Sequence, residues 1–395
     1  MSFSIEAPST PLHVLRTHKD PVNTLFCSRD NERIYSGDAK GRIVIWSTRS
    51  LRPIADWLAH TDAILGAEEL GENQIITHGR DNKIHVWERP EQSVAIRPVG
   101  AATLTESSAP TLCYSMDVNA LNYCRFSLLP ISSSDETSAL LAVPNLVESS
   151  QADVWTLPSR QRLHAAIGNS QHASSKFSDG RAGNKTGIIM AMHLFHLPST
   201  AEASGTLGLL CAYEDGGVIL YRRIAPEGTQ TIEGRGWEMM WRSKLHKESV
   251  MAMAVAKDDS FALTVSADNL VGKYDLTHGR SETASPGIVF RTKHPGNGAI
   301  AIRDDGRVCA VGGWDGKTRL YSTKTFKSLG TLLHHKQACQ ALTFASSDVG
   351  SCEVIDDDEE DMTPQEKLQR SRWLVTAGKD ARVSIWALMS FEKRP

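Results

Sequence analysis

The chain has 395 residues, 41% of them hydrophobic and 23% charged, with a net charge of −3 and seven cysteines that form no C-x-x-C pair. This composition is typical of a globular protein, excludes a disordered one, and indicates reduced thiols. The lack of a basic surplus and of any run of about 18 apolar residues predicts a soluble intracellular protein that binds neither nucleic acid directly nor a membrane.

A histidine, an aspartate and a terminal aromatic residue recur along the chain, within strand-like alternation of apolar and polar residues. In "HKDPVNTLFCSRDNERIYSGDAKGRIVIW" the histidine is His18 and the aromatic is Trp46. Lys40 stands where the turn aspartate is expected, and Asp38 lies two residues early. The second unit is regular, and its residues are His60, Asp81 and Trp87. Each unit predicts a group of strands around one tight turn.

The later units vary in completeness. The third keeps only Trp155, and the fourth keeps Asp215 and Tyr221 without a clear histidine. Three units carry the whole set, namely His246, Asp268 and Tyr274, then His294, Asp315 and Tyr321, then His335, Asp380 and Trp386. Because one active site would not recur in this way, we interpret the set as structural. In WD40 repeats, which these units resemble, the turn aspartate accepts hydrogen bonds from the histidine and from backbone amides while the aromatic packs beneath it, and we expect the same here.

The seven units resemble WD40 repeats and predict an all-β fold, a seven-bladed WD40 β-propeller. The segment after each aromatic is expected to form the fourth strand of its blade, as "SVAIRPV" (93–99) would in the second. The last blade lacks this segment, so we expect the N-terminal strand 11–17 to join it and close the ring. The predicted organisation is one domain over 11–390, tails at 1–10 and 391–395, and enlarged loops at about 101–110, 131–139 and 168–187.

An acidic insertion, 348–369, interrupts the last unit. Thr363 as cap, Pro364 at the first helical position and Glu366 three residues after the cap predict a short helix. The run before it is a solvated loop or, alternatively, a docking loop for a basic partner surface. Its residues are Asp356, Asp357, Asp358, Glu359, Glu360 and Asp361.

The residue before each turn aspartate is expected at the rim of one propeller face. In the five units with a clear aspartate these residues are Arg80, Glu214, Ala267, Trp314 and Lys379. A tryptophan with arginine and lysine is typical of an interface hot spot, so Arg80, Trp314 and Lys379 form a candidate partner-binding rim. The alternative is that Trp314 stacks on a neighbouring loop and both cations are ordinary solvated charges.

The sequence gives no positive sign of catalysis. Gly316, Lys317 and Thr318 resemble the end of a P-loop, but Val311 stands where a glycine is required and a strand follows. His193 and His196 are three apart on a strand, which points them to opposite faces and excludes a shared metal. We predict a protein that is not an enzyme and has no catalytic residue, metal, cofactor or small-molecule substrate.

The first two units, "IITHGRDNKIHVWE" included, and the final "LVTAGKDARVSIW" after its acidic insertion resemble the fungal ASTRA-associated protein 1 family. These are WD-repeat proteins related to G-protein beta-subunit-like proteins. The resemblance carries over Gly79, Arg80 and Asp81 as a structural turn, and nothing catalytic. It implies a scaffold subunit of the ASTRA complex that is located in the nucleus. We expect a part of the protein in the cytoplasm as well.

The same resemblance implies a link to chromatin remodelling. It also implies association with the TTT co-chaperone complex, which supports phosphatidylinositol-3-kinase-related kinases, so ASTRA and TTT subunits are the expected partners. The alternative is a histone- or phosphopeptide-reading WD40 adaptor in another complex, which would need a basic or aromatic pocket at the central channel. A G-protein beta subunit proper would need an N-terminal coiled-coil helix, and too few residues precede the first strand.

Overall fold

Seven antiparallel four-stranded sheets make up the fold, which confirms the predicted seven-bladed β-propeller. The computed structural model describes residues 8, 10–90, 109–131, 137–169, 186–197, 206–277, 286–347 and 363–388. In blades 1 to 6 the chain runs from the innermost to the outermost strand in order. Within the residues just given, no helix is long and apolar enough to cross a membrane.

The strands of the first four blades follow one another in chain order. Blade 1 contains β2 (Val22–Cys27), β3 (Arg33–Asp38), β4 (Arg42–Ser47) and β5 (Pro53–Leu58). Blade 2 contains β6 (Ile64–Leu70), β7 (Gln74–Gly79), β8 (Lys83–Glu88) and β9 (Thr111–Asp117). Blade 3 contains β10 (Ser127–Pro130), β11 (Ala139–Pro144), β12 (Ala152–Leu157) and β13 (Gln161–Ile167). Blade 4 contains β14 (Ile189–His196), β15 (Leu207–Tyr213), β16 (Gly217–Arg223) and β17 (Trp237–Lys244).

The last three blades include the one that closes the ring. Blade 5 contains β18 (Val250–Val255), β19 (Phe261–Ser266), β20 (Leu270–Asp275) and β21 (Gly287–Arg291). Blade 6 contains β22 (Asn297–Ile302), β23 (Val308–Gly313), β24 (Lys317–Ser322) and β25 (Ser328–Leu333). Blade 7 contains β26 (Cys339–Phe344), β27 (Trp373–Gly378), β28 (Val383–Ala387) and, as its outer strand, β1 (His13–Leu15), with α1 (Pro364–Arg370) between β26 and β27.

The ring closes as predicted, because β1 pairs antiparallel with β28. His13 lies opposite Ile385 and Leu15 opposite Val383, and the Leu12 amide donates to the Ile385 carbonyl at 2.7 Å. The strand is shorter than the predicted 11–17. It covers an edge of β28 that would otherwise present unpaired backbone groups.

The fourth strand of blade 2 was predicted wrongly. Thr111–Asp117 holds that position, whereas 93–99 lies outside the described residues. Met116 and Val118 are buried in the core between blades 2 and 3, so this later segment satisfies the packing of both blades. The segment that directly follows Trp87 in the sequence is therefore not the fourth strand, because that strand must supply apolar side chains to the core shared with the next blade.

The core lies between blades. Trp46 of blade 1 packs with Val375 and Ile385 of blade 7, and Trp87 of blade 2 packs with Ile43 and Trp57 of blade 1. Each of these third-strand aromatics therefore joins its blade to the preceding one. The burial that stabilises one blade depends on its neighbour, which makes the closed ring the folding unit.

The loop between β16 and β17 covers the outer edge of blade 3. The Ala165 amide donates to the Thr231 carbonyl, and the Thr231 amide donates to the Leu163 carbonyl, both at 3.0 Å. His164 Nδ1 and Thr231 Oγ1 are 2.9 Å apart. Thr231 thus pairs in parallel with His164 of β13 and covers part of an edge of the sheet that would otherwise be exposed.

Replacing the buried Leu15 by alanine should lower the free energy of unfolding by about 2 to 5 kcal/mol, because a leucine is removed from the core at the ring closure. The half-exposed Leu12 of the same segment is the matched control, and L12A should cost less than about 1 kcal/mol. Urea denaturation followed by tryptophan fluorescence measures both. Equal losses would mean that closure by β1 contributes little.

Candidate interaction face of the propeller

One face of the ring carries both the turns between second and third strands and the loops that enter each blade; we call it the upper face. In each of five blades the backbone amide of one turn residue donates to a carbonyl of the entering loop. These bonds are Ala39 to Pro21 (2.8 Å), Arg80 to Ala63 (2.9 Å), Glu214 to Ile188 (3.0 Å), Trp314 to Gly296 (2.7 Å) and Lys379 to Ala338 (2.9 Å). The turns and loops of this face are thus fixed to each other.

A directional chain of hydrogen bonds holds the turn of blade 2. Trp87 Nε1 donates to Thr77 Oγ1 at 2.9 Å, and the Thr77 hydroxyl lies 2.8 Å from His60 Nε2. His60 Nδ1 lies 2.9 Å from Asp81, which also accepts from the Thr61 amide at 3.0 Å. A neutral His60 that donates from Nδ1 and accepts at Nε2 satisfies all four side chains. We call such a set a tetrad.

Three other blades contain a corresponding tetrad, although in blade 5 the aromatic is a tyrosine and the Thr264 hydroxyl donates to it over a longer 3.5 Å. They are His18, Ser36, Asp38 and Trp46 in blade 1, His246, Thr264, Asp268 and Tyr274 in blade 5, and His335, Thr376, Asp380 and Trp386 in blade 7. The sequence interpretation missed the serine or threonine at the centre. A usable signal exists, because this hydroxyl residue lies ten positions before the aromatic in all four blades.

Blade 1 has a turn-locking aspartate after all, which corrects the expectation that it lacks one. Asp38 Oδ2 lies 2.9 Å from His18 Nδ1, and Asp38 Oδ1 accepts from the amides of Lys40 and Arg42. Asp38 is the last residue of β3, the place that Gly79 holds at the end of β7. A Cβ at Gly79 would lie 2.4 Å from His60 Nδ1, so a side chain starting there reaches the histidine directly.

Blade 6 departs from its predicted set. His294 is exposed, and Asp315 instead binds Arg319, with Nη1–Oδ1 and Nη2–Oδ2 distances of 3.2 and 2.5 Å. Val311 occupies the position ten before Tyr321, so no hydroxyl is available to link a histidine to the aromatic. Tyr321 stacks on Phe326 at a centroid distance of 5.3 Å. An ion pair replaces the tetrad as the lock of this turn.

Blades 3 and 4 use other aspartate contacts. The buried Asp153 accepts from Asn145 Nδ2 and from the Ala166 amide, both at 2.8 Å. Asp215 accepts from the Gly217 amide and from Arg242 Nη2, also at 2.8 Å. Trp155 lies beside Arg162 at 5.8 Å and takes no part in a tetrad.

Electrostatics agree with a structural role for the tetrads. Burial lowers the pKa of His60, which favours the neutral ring, although Asp81 opposes the shift. Burial alone would raise the pKa of Asp81, but the Thr61 amide and His60 hold it below its ordinary value. The pair is therefore a neutral imidazole donating to a carboxylate.

A metal is one chemical alternative for this corner of blade 2. His60, Asp81 and His85 have possible ligand atoms within 4.8 Å of one another, the one such group in the described residues. Both nitrogens of His60 already take part in the tetrad, and His85 Nδ1 lies 2.7 Å from Ser115 Oγ. A metal would have to break the lock of the turn, so the geometry favours the tetrad.

His78 is a fully buried histidine with neither ring nitrogen hydrogen-bonded within the described chain. It alternates with Thr77 on β7 and faces Phe126 of blade 3 at a centroid distance of 6.2 Å. Burial, with a smaller effect of His60 in the same direction, lowers its pKa to about 3. This side chain is neutral in the folded protein.

The candidate rim residues lie on the upper face but in two separate places. Trp314 is 51% exposed, and Lys379 of the next blade is exposed. Arg80 of blade 2 lies over the Tyr123 ring at 4.3 Å. Tyr123 and Leu121 are exposed, and Asn119 binds the loop of Asn145. The structure therefore does not bring Arg80 together with Trp314.

The predicted acidic docking run, 356–361, lies outside the described residues. The helix after it is present, as α1. The Thr363 hydroxyl accepts from the Glu366 amide, and the Glu366 carboxylate accepts from the Thr363 amide, which forms the predicted capping box. Arg370 donates to the Thr48 carbonyl and Lys367 pairs with Glu32 at 3.4 Å, so α1 is attached to blade 1.

A cavity of about 1400 Å³ opens at the opposite, lower mouth of the central channel. Its charged groups are largely paired with one another. Arg33 contacts Asp30 at 2.9 Å, and Glu69 accepts from Tyr35 at 2.7 Å and pairs with Arg89 at 3.3 Å. Burial raises the pKa of Glu69. This cluster joins blades 1 and 2.

Seven radial blades with recurring turn locks define a β-propeller protein. The family model of ASTRA-associated protein 1 matches residues 11–370, from the closing strand to α1, and the chain belongs to that family. ASTRA-associated protein 1 of Penicillium rubens is 31% identical over 98% of this chain and 98% of its own length. The Aspergillus flavus protein is 32% identical (97% and 98%), and the Schizosaccharomyces pombe protein 26% identical (96% and 99%).

The tetrad hydroxyl should be essential for stability. Thr376→Val keeps the shape but leaves Trp386 Nε1 and His335 Nε2 buried without a partner, which should cost about 1 to 3 kcal/mol. The exposed Thr331→Val on β25 is the control and should be nearly neutral. Denaturation midpoints in urea measure the difference. If T376V is as stable as the control, the hydrogen-bond chain does not hold the blade.

Stability should fall as the pH is lowered from about 6.5 towards 3. His78 has a folded-state pKa of about 3 and an ordinary value of 6.5, so only the unfolded chain binds its proton in this window. The resulting slope is up to about 1.4 kcal/mol per pH unit. Thermal melts at several pH values should show a shallower decline for His78→Leu than for the exposed His294→Gln. Equal slopes would contradict this assignment.

Proposed function

We propose that this chain is a non-enzymatic WD-repeat scaffold subunit of the ASTRA complex. The observation that carries the proposal is the family match over residues 11–370, which covers the ring from its closing strand to α1. The relatives are named for association with ASTRA, and each aligns over nearly its whole length. A property of the family is therefore best assigned to the propeller itself.

The geometry fits a scaffold. The histidines and aspartates of the tetrads bind each other and the turns, so their chemistry is used for structure. The upper face, in contrast, has exposed side chains such as Trp314 and Lys379 on rigid turns. Exposed aromatic and cationic groups on a fixed frame are suited to binding other proteins.

The finer proposal follows the resemblance of the first two units and the last. ASTRA and TTT subunits would be the partners, in support of phosphatidylinositol-3-kinase-related kinases and chromatin remodelling, and the protein would be nuclear. Arg80, Trp314 and Lys379 would contact these partners. The acidic run 356–361 would provide a second, salt-sensitive contact with a basic surface.

Affinity purification of the tagged chain from its own cells at moderate salt, with mass spectrometry, tests the function. The wild-type chain should recover ASTRA and TTT subunits, and recovery of histones or a G-protein gamma chain in their place would overturn the proposal. The R80A/W314A/K379A triple variant should lose at least one subunit because the rim contacts are removed. The control is K324A/K327A, two exposed lysines in a turn on the lower face.

Two further results decide where the contacts lie. Full recovery of every subunit by a folded triple variant would remove the rim from the proposal. A variant with the acidic residues of 356–361 changed to asparagine and glutamine keeps the length and α1. Unchanged recovery with this variant across a salt series would remove the acidic docking loop.

A further inference from the structure

Exposed cations are concentrated on one part of the upper face. The loops of blades 6, 7 and 1 carry six exposed cations, which we call the basic sector: Arg16, Lys19, Lys40, Lys293, Lys336 and Lys379. None of them makes an ion pair within the described ranges. The whole chain has a net charge of −3, so this excess is local.

Three of the acids on these loops are bound, whereas the half-buried Asp20 of the loop that enters blade 1 makes no ion pair within the described ranges. Asp315 pairs with Arg319, Asp380 accepts from His335 and from the Lys336 amide, and Asp38 binds His18. Arg319 neutralises Asp315, so the six exposed cations of the sector outnumber its three other carboxylates, Asp20, Asp38 and Asp380. On the loops of blades 2, 4 and 5 the exposed charges are of both signs, with Asp62, Glu214 and Glu248 as well as Lys247.

Trp314 lies flat on a surface made by glycines at the edge of this sector. A Cβ at Gly296 would be 2.9 Å from Trp314 Cε3, and one at Gly298 would be 3.0 Å from Nε1. The Gly298 position is also 3.6 Å from the Cys339 carbonyl, so the indole is at the junction of blades 6 and 7. The ring is 51% exposed, and its N–H has no partner among the described residues.

We propose that the basic sector binds a flexible acidic segment of a partner protein. An apolar side chain of that segment lies on Trp314, and its carboxylates pair with Lys336 and Lys379. The Lys379 amide bonds to Ala338, next to Cys339, so this lysine and the indole border the same start of β26. Five of the six cations are lysines, which suit separate carboxylates reached along an extended segment.

The geometry favours a peptide over single-stranded nucleic acid. Sequence-independent binding of single strands uses several aromatic platforms on which successive bases stack. In the described loops of the basic sector, Trp314 is the one exposed indole or phenyl ring. One aromatic anchor surrounded by lysines matches one apolar residue within an acidic run.

This inference rests on the proposed scaffold function and adds the chemistry of one partner contact. A fluorescein-labelled peptide with six Asp or Glu residues around one leucine is titrated against the purified full chain, and anisotropy gives Kd. W314A and K336E/K379E should each weaken binding by about tenfold or more, and salt should weaken it further. The charge-matched control is K324E/K327E on the lower face, which should bind as the wild type does.

Two more probes sharpen the result. The same peptide with asparagine and glutamine in place of its acids should not bind, and a short oligothymidylate should bind more weakly than the acidic peptide. Failure of the acidic peptide to bind, equal binding by the charge-reversed variant, or tighter binding of the oligonucleotide would each overturn the inference. These outcomes leave intact the co-purification of ASTRA subunits, whose own absence would instead overturn the scaffold function.

Discussion

The upper face depends on one buried hydroxyl in each regular blade. Thr77, Thr264, Thr376 and Ser36 each connect a histidine from the entering loop to an aromatic on the third strand. The histidine then binds the aspartate that holds the turn. Because every donor in this chain meets an acceptor in a water-poor region, none of its members can be removed without leaving another unpaired. The turn is thereby fixed to the core, and the residue beside its aspartate keeps a constant position on the upper face.

The irregular blades show what happens when this chain is interrupted. In blade 6 an ion pair between Asp315 and Arg319 locks the turn, and Trp314, the residue before that aspartate, extends over glycine backbone with much of its ring in solvent. In blade 3 the lock uses Asp153 and Asn145, and a loop of blade 4 reinforces the outer edge through Thr231. Departures from the repeat thus change what lies at the surface while the blade itself persists.

The sequence was most informative where a contact depends on spacing along one hairpin. The interval from His60 to Asp81 and Trp87 predicted a real cluster, and the missing strand of blade 7 predicted the closure by His13–Leu15. It failed where a contact depends on the neighbouring blade, or where an aspartate at another position of the turn makes the same contact. Thr111–Asp117 is the fourth strand of blade 2 because its apolar side chains pack against blade 3. Asp38 contacts His18 from a position two residues before the expected one. No sequence pattern around Trp314 indicates that Gly296 and Gly298 lie under its ring.

The closing strand also constrains the order in which the molecule can form. His13 pairs with Ile385, so the first strand of the ring stays without its partner until about 370 further residues exist. At roughly 5 to 20 residues per second, synthesis of that stretch takes on the order of 20 to 75 seconds. During this interval blades 1 to 6 can assemble while β1 itself remains unpaired and open to pairing with other chains. The ring thus cannot close until its last blade has been made.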